Sequence, residues 1–461
     1  MRNRSRLLDI LDRAESGPIV EEEMHDMMTI PGVMMELQEE FDITLPPHTD
    51  GGPLVPADDE LADRVWEAGL KMAEDLGFFC LSTHRRMLWT RDEIVTALQF
   101  APTEVTVGEG LDKATERKRK VEDTERIFIK GGGVGTPLSE DIYLPVHQSY
   151  AQEPLLDAMI NCTLETVYGR EARSRSPWEV LLGWHEFELT KAASRRAGRP
   201  GLGLGVVENS VTEIAELSAT SHGGFGPNDW HHVAVVSEFK TDYFLLTKVA
   251  HLIETQSVIH SFYNTIYGGT VGGKDAMAIA IVGGCILMQL AYMTGTHSVS
   301  PTHPFFGNDT TPEIIQAISV AQQAMARNSR MLTDVVITPV GGPGTKTLLY
   351  ETAALALTST VSGASALIGP RSGAGVEPGH VSGLEARFMA EVANAALAMT
   401  RQEADAIVRQ LVGKYKDDLD TRPCGQHFTE VYDPIMVKPK PEWVATYEEV
   451  KEELVEMGLP L

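Results

Sequence analysis

The sequence predicts an α/β chain folded as a (β/α)8 barrel, with helical additions at both ends. Two observations carry that prediction. From Ile127 to Ile368 short apolar runs alternate with amphipathic stretches, the pattern of a parallel sheet with helices outside. The alternation is long and several of its loops end in glycine, which favours a closed barrel over an open doubly wound sheet.

The first 130 residues read as mostly helical. Leu61, Val65, Ala68 and Met72 recur at helical spacing. Trp89-Thr90-Arg91-Asp92-Glu93-Ile94 forms a capping box in which Thr90 accepts the amide of Glu93 and Trp89 packs on Ile94. Residues 41–58, rich in proline and glycine, read as a loop. A strand at Ile127–Ile129 opens the alternation, and Ser176-Pro177 caps and starts a helix. Strands follow at Leu202–Val207, Val258–Phe262, around Val335–Ile337 and at Ala366–Ile368. Helices are expected at Tyr243–Thr255, Asp275–Met293, Pro312–Arg327 and Lys346–Ser362. The end of the chain is helical again, with a capping box at Thr400–Glu403 and one apolar stripe from Ala404 to Tyr415. One structural unit is expected: an elaboration over 1–130, a barrel over 131–400 and an extension over 401–461.

Composition narrows the partners. The 461 residues are 43% hydrophobic, enough for a large core, and carry a net charge of −26. A pI near 4.9 argues against a nucleic-acid or anionic-membrane partner. The four cysteines are scattered and form no CxxC, so reduced thiols and a cytoplasmic location are expected. Ala276–Met293 reaches the lower length limit for a membrane span, but its glycine pair and acidic surroundings favour a buried helix. Gly131-Gly132-Gly133-Val134-Gly135 lacks the Lys-Ser/Thr of a phosphate loop and reads as a tight barrel loop.

A set of ordered motifs points further. Arg117-Lys118-Arg119, Gly131 to Tyr150 with Ser139-Glu140-Asp141 and Pro145-Val146-His147, and Ser176-Pro177-Trp178-Glu179-Val180 stand in sequence. They are followed by Ala197 to Gly205, Gly268-Gly269 with Gly272-Gly273, Pro301-Thr302-His303, Gly383 to Arg387 and Tyr432-Asp433. Together, in this order and spacing over about 450 residues, they resemble the monomethylamine:corrinoid methyltransferases. The resemblance implies a barrel fold, self-assembly into oligomers, and methyl transfer from a small methylated substrate to a corrinoid (cobalamin) carried by a separate protein. It also implies a departure. The family residue matching Gly205 is pyrrolysine, an electrophile that captures the amine. Two family glutamates match His232 and Phe262, and a glutamine matches Val336. The resemblance therefore implies a pocket whose substrate is not monomethylamine.

Barrel sites lie at the C-terminal ends of the strands. The candidate residues are His232 and His231 for catalysis. Gly205, Glu208, Phe225, Asp229, Trp230, Phe262, His303 and Val336 are candidates for substrate binding. Aromatic walls suit a quaternary ammonium, which already carries the positive charge that methyl transfer needs; cation–π attraction contributes about 2 kcal/mol when desolvated. Phe305 and Phe306 are further aromatic candidates. A second reading takes His222, Asp229, His231 and His232 as zinc ligands that polarise a methoxy or methylthio group. Adjacent histidines usually point apart, which weighs against it. A third reading is a non-catalytic binder of a small amine or of the corrinoid protein.

Overall fold

The computed structural model describes residues 2–49, 51–206, 212–221 and 223–461. Its centre is a closed parallel barrel of eight strands. In chain order these are β1 (Phe128–Gly131), β2 (Ala158–Ile160), β3 (Gly203–Val206), β4 (Trp230–Ala234), β5 (Val258–Tyr263), β6 (Thr296–Val299), β7 (Thr333–Val336) and β8 (Ala366–Gly369). Each pairs with its chain neighbour, and β8 closes on β1 through Ala366 to Phe128 and Gly369 to Gly131. The outer layer holds α1 (Glu140–Ala151), α2 (Pro177–Arg196), α3 (Glu213–Ala219), α4 (Tyr243–Glu254), α5 (Lys274–Tyr292), α6 (Pro312–Asn328), α7 (Lys346–Val361) and α8 (Gly383–Ala396).

Local chemistry explains the boundaries. Ser176 accepts from the Trp178 amide and Pro177 takes the first helical position, where its missing N–H costs nothing. Thr90 and Thr400 both form the expected capping boxes, with Glu93 and Glu403. The strands at β2, β4 and β6 were not among the sequence expectations. The β4 segment is short, starts with two histidines after a tryptophan, and follows a glycine-rich loop, so it carries little strand signal. The expected boundary at 130/131 falls inside β1.

Helix α5 is long and apolar enough to cross a membrane, yet 94% of its most apolar window is buried inside the protein. It packs on the helix Asp59–Leu76 at very close range. A side chain at Gly69 would overlap Val282, and one at Gly283 would overlap Met72. The two glycines let the backbones approach, and burial of the apolar side chains at about 25 cal/mol per Å2 holds them there.

The N-terminal residues also close the barrel floor. A hairpin of Glu104–Val107 and Ala114–Arg117 lies across the N-terminal ends of the strands. Val105, Val107 and Ala114 join the interior cluster of Phe128, Ala158, Trp230 and Ala366. Two further ties link the N-terminal segment to the rest of the chain. Phe79 and Cys80 pair with Lys240 and Thr241 in the loop after β4. The Asp405 carboxylate accepts from the amides of Leu54 and Val55 at 2.7 and 2.9 Å. All four cysteines are free thiols.

Candidate active site

Side chains alternate along a strand, so each barrel strand shows every second residue to the interior. On β4, Trp230, His232 and Ala234 face in, and His231 and Val233 face out. Register sets the layers: Gly205 lies beside Trp230, His232 beside His260, and Ala234 beside Phe262.

The lower interior is charged and closed. Lys130 on β1 lies 2.8 Å from Glu116 of the floor hairpin and 2.5 Å from Asp334 on β7. Its ammonium also sits 4.9 Å above the Trp230 ring. His260 Nδ1 is 2.6 Å from Thr296 Oγ1 and 3.6 Å from Asp334. Burial works against the Lys130 charge, but its two carboxylate neighbours outweigh that and raise its pKa. Burial, followed by the Asp334 charge, drives Glu116 well above the ordinary carboxylate range.

The upper interior is different. The His232 ring tilts against Phe262, with centroids 4.9 Å apart, and its Nδ1 is enclosed without a hydrogen-bond partner. Burial, aided by the positive charge of Lys248, pushes its pKa down to about 3, so the ring is neutral at neutral pH. Val336 completes the wall with Val134 and Ile368. His232, Ala234, Phe262 and Asn264 all remain half-buried. These side chains point into the barrel near the C-terminal ends of β4 and β5 and still meet solvent, and this end of the barrel is the candidate mouth of the site. Arg371, two residues beyond β8, stands over this mouth and donates from Nε to the Val134 carbonyl at 3.1 Å.

Gly205 is on β3, facing the interior, but the space beside it is not free. A Cβ there would lie 2.5 Å from Cζ2 of Trp230. The indole of Trp230 fills the position next to Gly205, so the missing side chain leaves no void at that level. The Trp230 Nε1 is buried without a partner.

The structure separates several of the expected residues. His231 faces the outer layer, where Nδ1 meets Glu216 of α3 at 2.9 Å and Nε2 meets the Gly226 carbonyl at 3.1 Å. Burial lowers its pKa, but the Glu216 charge outweighs this and raises it overall. Phe225 is also outside, packed edge-on against Phe187 of α2 at 5.1 Å. Asp229 is at the N-terminal end of β4, accepting from the amides of Leu204 and Gly226. His303 sits at the rim in the loop after β6, stacked on Phe306 at 4.5 Å and near Tyr267 at 5.8 Å. Phe305 beside it is exposed. Glu208 and His222 lie outside the described residues. Asp229, His231 and His232 therefore do not converge, and among the described residues no group of three metal-ligating side chains forms.

Lys130, His260, Asp334 and Arg371 were missed by sequence reasoning, although two signals were available. Lys130 is a charge at the end of the apolar run Ile127–Ile129. His260 is two residues before Phe262 on an expected strand, so it shares the inward face.

Comparison with known proteins agrees with this architecture. The family model for monomethylamine methyltransferase MtmB matches residues 6–459. The chain is 33% identical to monomethylamine methyltransferase MtmB2 of Methanosarcina acetivorans, over 98% of this chain and 97% of that one. It is 32% identical to MtmB1 of Methanosarcina barkeri over the same shares. The crystal structure of the M. barkeri monomethylamine methyltransferase superposes with a TM-score of 0.95, covering 99% of this chain and 98% of that chain. Fold and sequence agree over nearly the whole length: the chain belongs to the monomethylamine methyltransferase MtmB family.

Proposed function

We propose that this chain transfers a methyl group from a quaternary or similarly bulky N-methyl compound, and not from monomethylamine, to a corrinoid protein. The observation that carries the reading is the interior at Gly205. The position has no side chain, and Trp230 fills the space immediately beside it. No electrophile at residue 205 can capture an amine, so the substrate must arrive already activated.

A quaternary ammonium meets that need. Its C–N bond breaks with the electron pair left on nitrogen, and the leaving group is a neutral tertiary amine that requires no proton from the chain. A reduced corrinoid, presented by its partner protein, supplies the electron pair that takes the methyl group. The open strand C-terminal face, with Ala234, Phe262 and Asn264 half-buried around it, fits such an approach. Phe262 offers a ring face to the cation, Val336 excludes water, and neutral His232 adds no competing charge.

The same walls disfavour monomethylammonium. Among the described residues its three N–H donors would face the apolar Phe262 and Val336, with the His232 imidazole and the Asn264 amide too few acceptors to pair them all. Each unpaired buried donor costs roughly 1–3 kcal/mol, so discrimination against it is large. The zinc reading loses support, because Asp229, His231 and His232, its described candidate donors, point to different parts of the fold.

The test is absorbance of methyl–cobalt formation with enzyme, cob(I)alamin and a panel of methylated compounds. Activity with quaternary amines and none with monomethylamine is expected. Equal activity on monomethylamine would refute the pocket account. Binding without any methyl transfer would leave a non-catalytic binder.

A further inference from the structure

Arg371 carries a charge that no carboxylate among the described residues pairs with. Its Nε donates to the Val134 carbonyl, and among the described residues no carboxylate forms an ion pair with it. Burial lowers its pKa, and Asp309 is the one group that opposes the shift. Asp309 is a poor counter-ion. It accepts from the Thr338 amide at 2.8 Å through one oxygen, the other has no partner, and burial pushes its pKa up to about 8. The neighbouring acids are engaged elsewhere. Glu351 accepts from the amides of Val340 and Gly341, and Glu385 is held by Ser382.

The guanidinium is also deliberately seated. A side chain at Gly375 would overlap Nε and Cζ of Arg371, and Gly375 itself has φ +68°, which glycine adopts without strain. The arginine bonds to Val134, which clusters with Val336 and Ile368 where Phe262 packs, and its charge bears on the His232 ring. An unpaired guanidinium in a half-buried mouth repels a bare cation and attracts a planar anion through its fork of N–H donors.

We infer that Arg371 is the anchor for an anionic group on the substrate, so that the methyl donor is a zwitterion: an N-methyl ammonium with a carboxylate. This rests on the methyltransferase reading above and narrows it. A zwitterion brings its own counter-charge to Arg371 while presenting its cationic end to Phe262. A cation without an anionic group leaves Arg371 unbalanced and adds a second positive charge beside it.

Calorimetry on the full chain with N,N,N-trimethylglycine and choline tests this, because the two probes share a head group and differ in the carboxylate. The wild-type protein should bind trimethylglycine about 10- to 100-fold more tightly than choline, the range of a charge-assisted pair. Arg371→Gln should abolish that preference while leaving choline binding no weaker. Arg371→Lys, which keeps the charge and loses the fork, should retain part of it. Thermal melts of both variants check that they fold. Equal affinity for the two probes, no binding of either, or a preference that survives Arg371→Gln overturns the anchor. Methyl transfer from choline or tetramethylammonium without carboxylate preference would sink the anchor alone. No transfer from any N-methyl compound would sink the proposed function itself.

Discussion

His231 and His232 are neighbours in sequence with opposite surroundings. His231 points out of the barrel, is fully buried, and is paired with Glu216. His232 points in, meets solvent, and has an enclosed nitrogen with no partner. The same contrast separates the two interior arginine and lysine charges. Lys130 in the lower barrel is clasped by two carboxylates, whereas Arg371 at the mouth has none among the described residues. Paired charges hold the scaffold together. Unpaired ones face the space where a ligand enters, and their missing partner is the information about that ligand.

Breaking the paired side should have the largest effect on stability. Lys130→Met removes the cation between Glu116 and Asp334 and leaves buried carboxyl groups uncompensated, at a cost of about 3–5 kcal/mol by denaturant unfolding. A change under about 1 kcal/mol would show that the network is not structural.

Filling the interior comes next. Gly205→Ala forces a methyl group against the Trp230 indole, and overpacking of this kind costs about 1–3 kcal/mol. The expected readout is a lower unfolding midpoint. An unchanged midpoint would mean that Trp230 moves freely and that the space beside Gly205 is available after all.

The two histidines should respond to pH on opposite sides of about 6.5, the ordinary histidine value. His231 has a raised folded pKa, so its contribution is fully present below about 6.5 and is lost as pH rises through the folded value. His232 has a folded pKa of about 3, so the unfolded chain takes up its proton first. Stability is therefore lost as pH falls from about 6.5 toward 3, with a slope of at most about 1.4 kcal/mol per pH unit for that residue. His147 and His297, both pushed down to about 4 by burial, add to the same acid loss. His232→Asn should flatten the acid limb, and His231→Asn should remove the slope above 6.5. Identical pH profiles for the two variants would erase the contrast.

The smallest stability effect is expected at the unpaired site. His232→Ala at pH 8 should change unfolding free energy by about 1 kcal/mol or less, since no hydrogen bond is lost. Ligand affinity should nevertheless fall. A large loss of stability without any loss of binding would assign His232 to the scaffold.

By itself, the sequence determined the barrel and most of its helices. Apolar runs such as Val258–Phe262 and caps such as Thr90 and Ser176 are local signals, decided by side-chain periodicity and by backbone donors within a few residues. The short strand at Trp230–Ala234 escaped because its two adjacent histidines and the glycine-rich loop before it carry little strand signal. Once that strand exists, period-two alternation separates His231 from His232, but nothing local says which of the two faces the barrel axis. Closure of the barrel made that choice, along with three others. It set Trp230 into the space beside Gly205, brought Glu116 from the floor hairpin to Lys130, and left Arg371 over the mouth without a carboxylate. Each of these depends on residues 14 to more than 200 positions apart meeting in space. Charge balance at a buried site is a property of the packed neighbourhood, and one-dimensional spacing does not contain it.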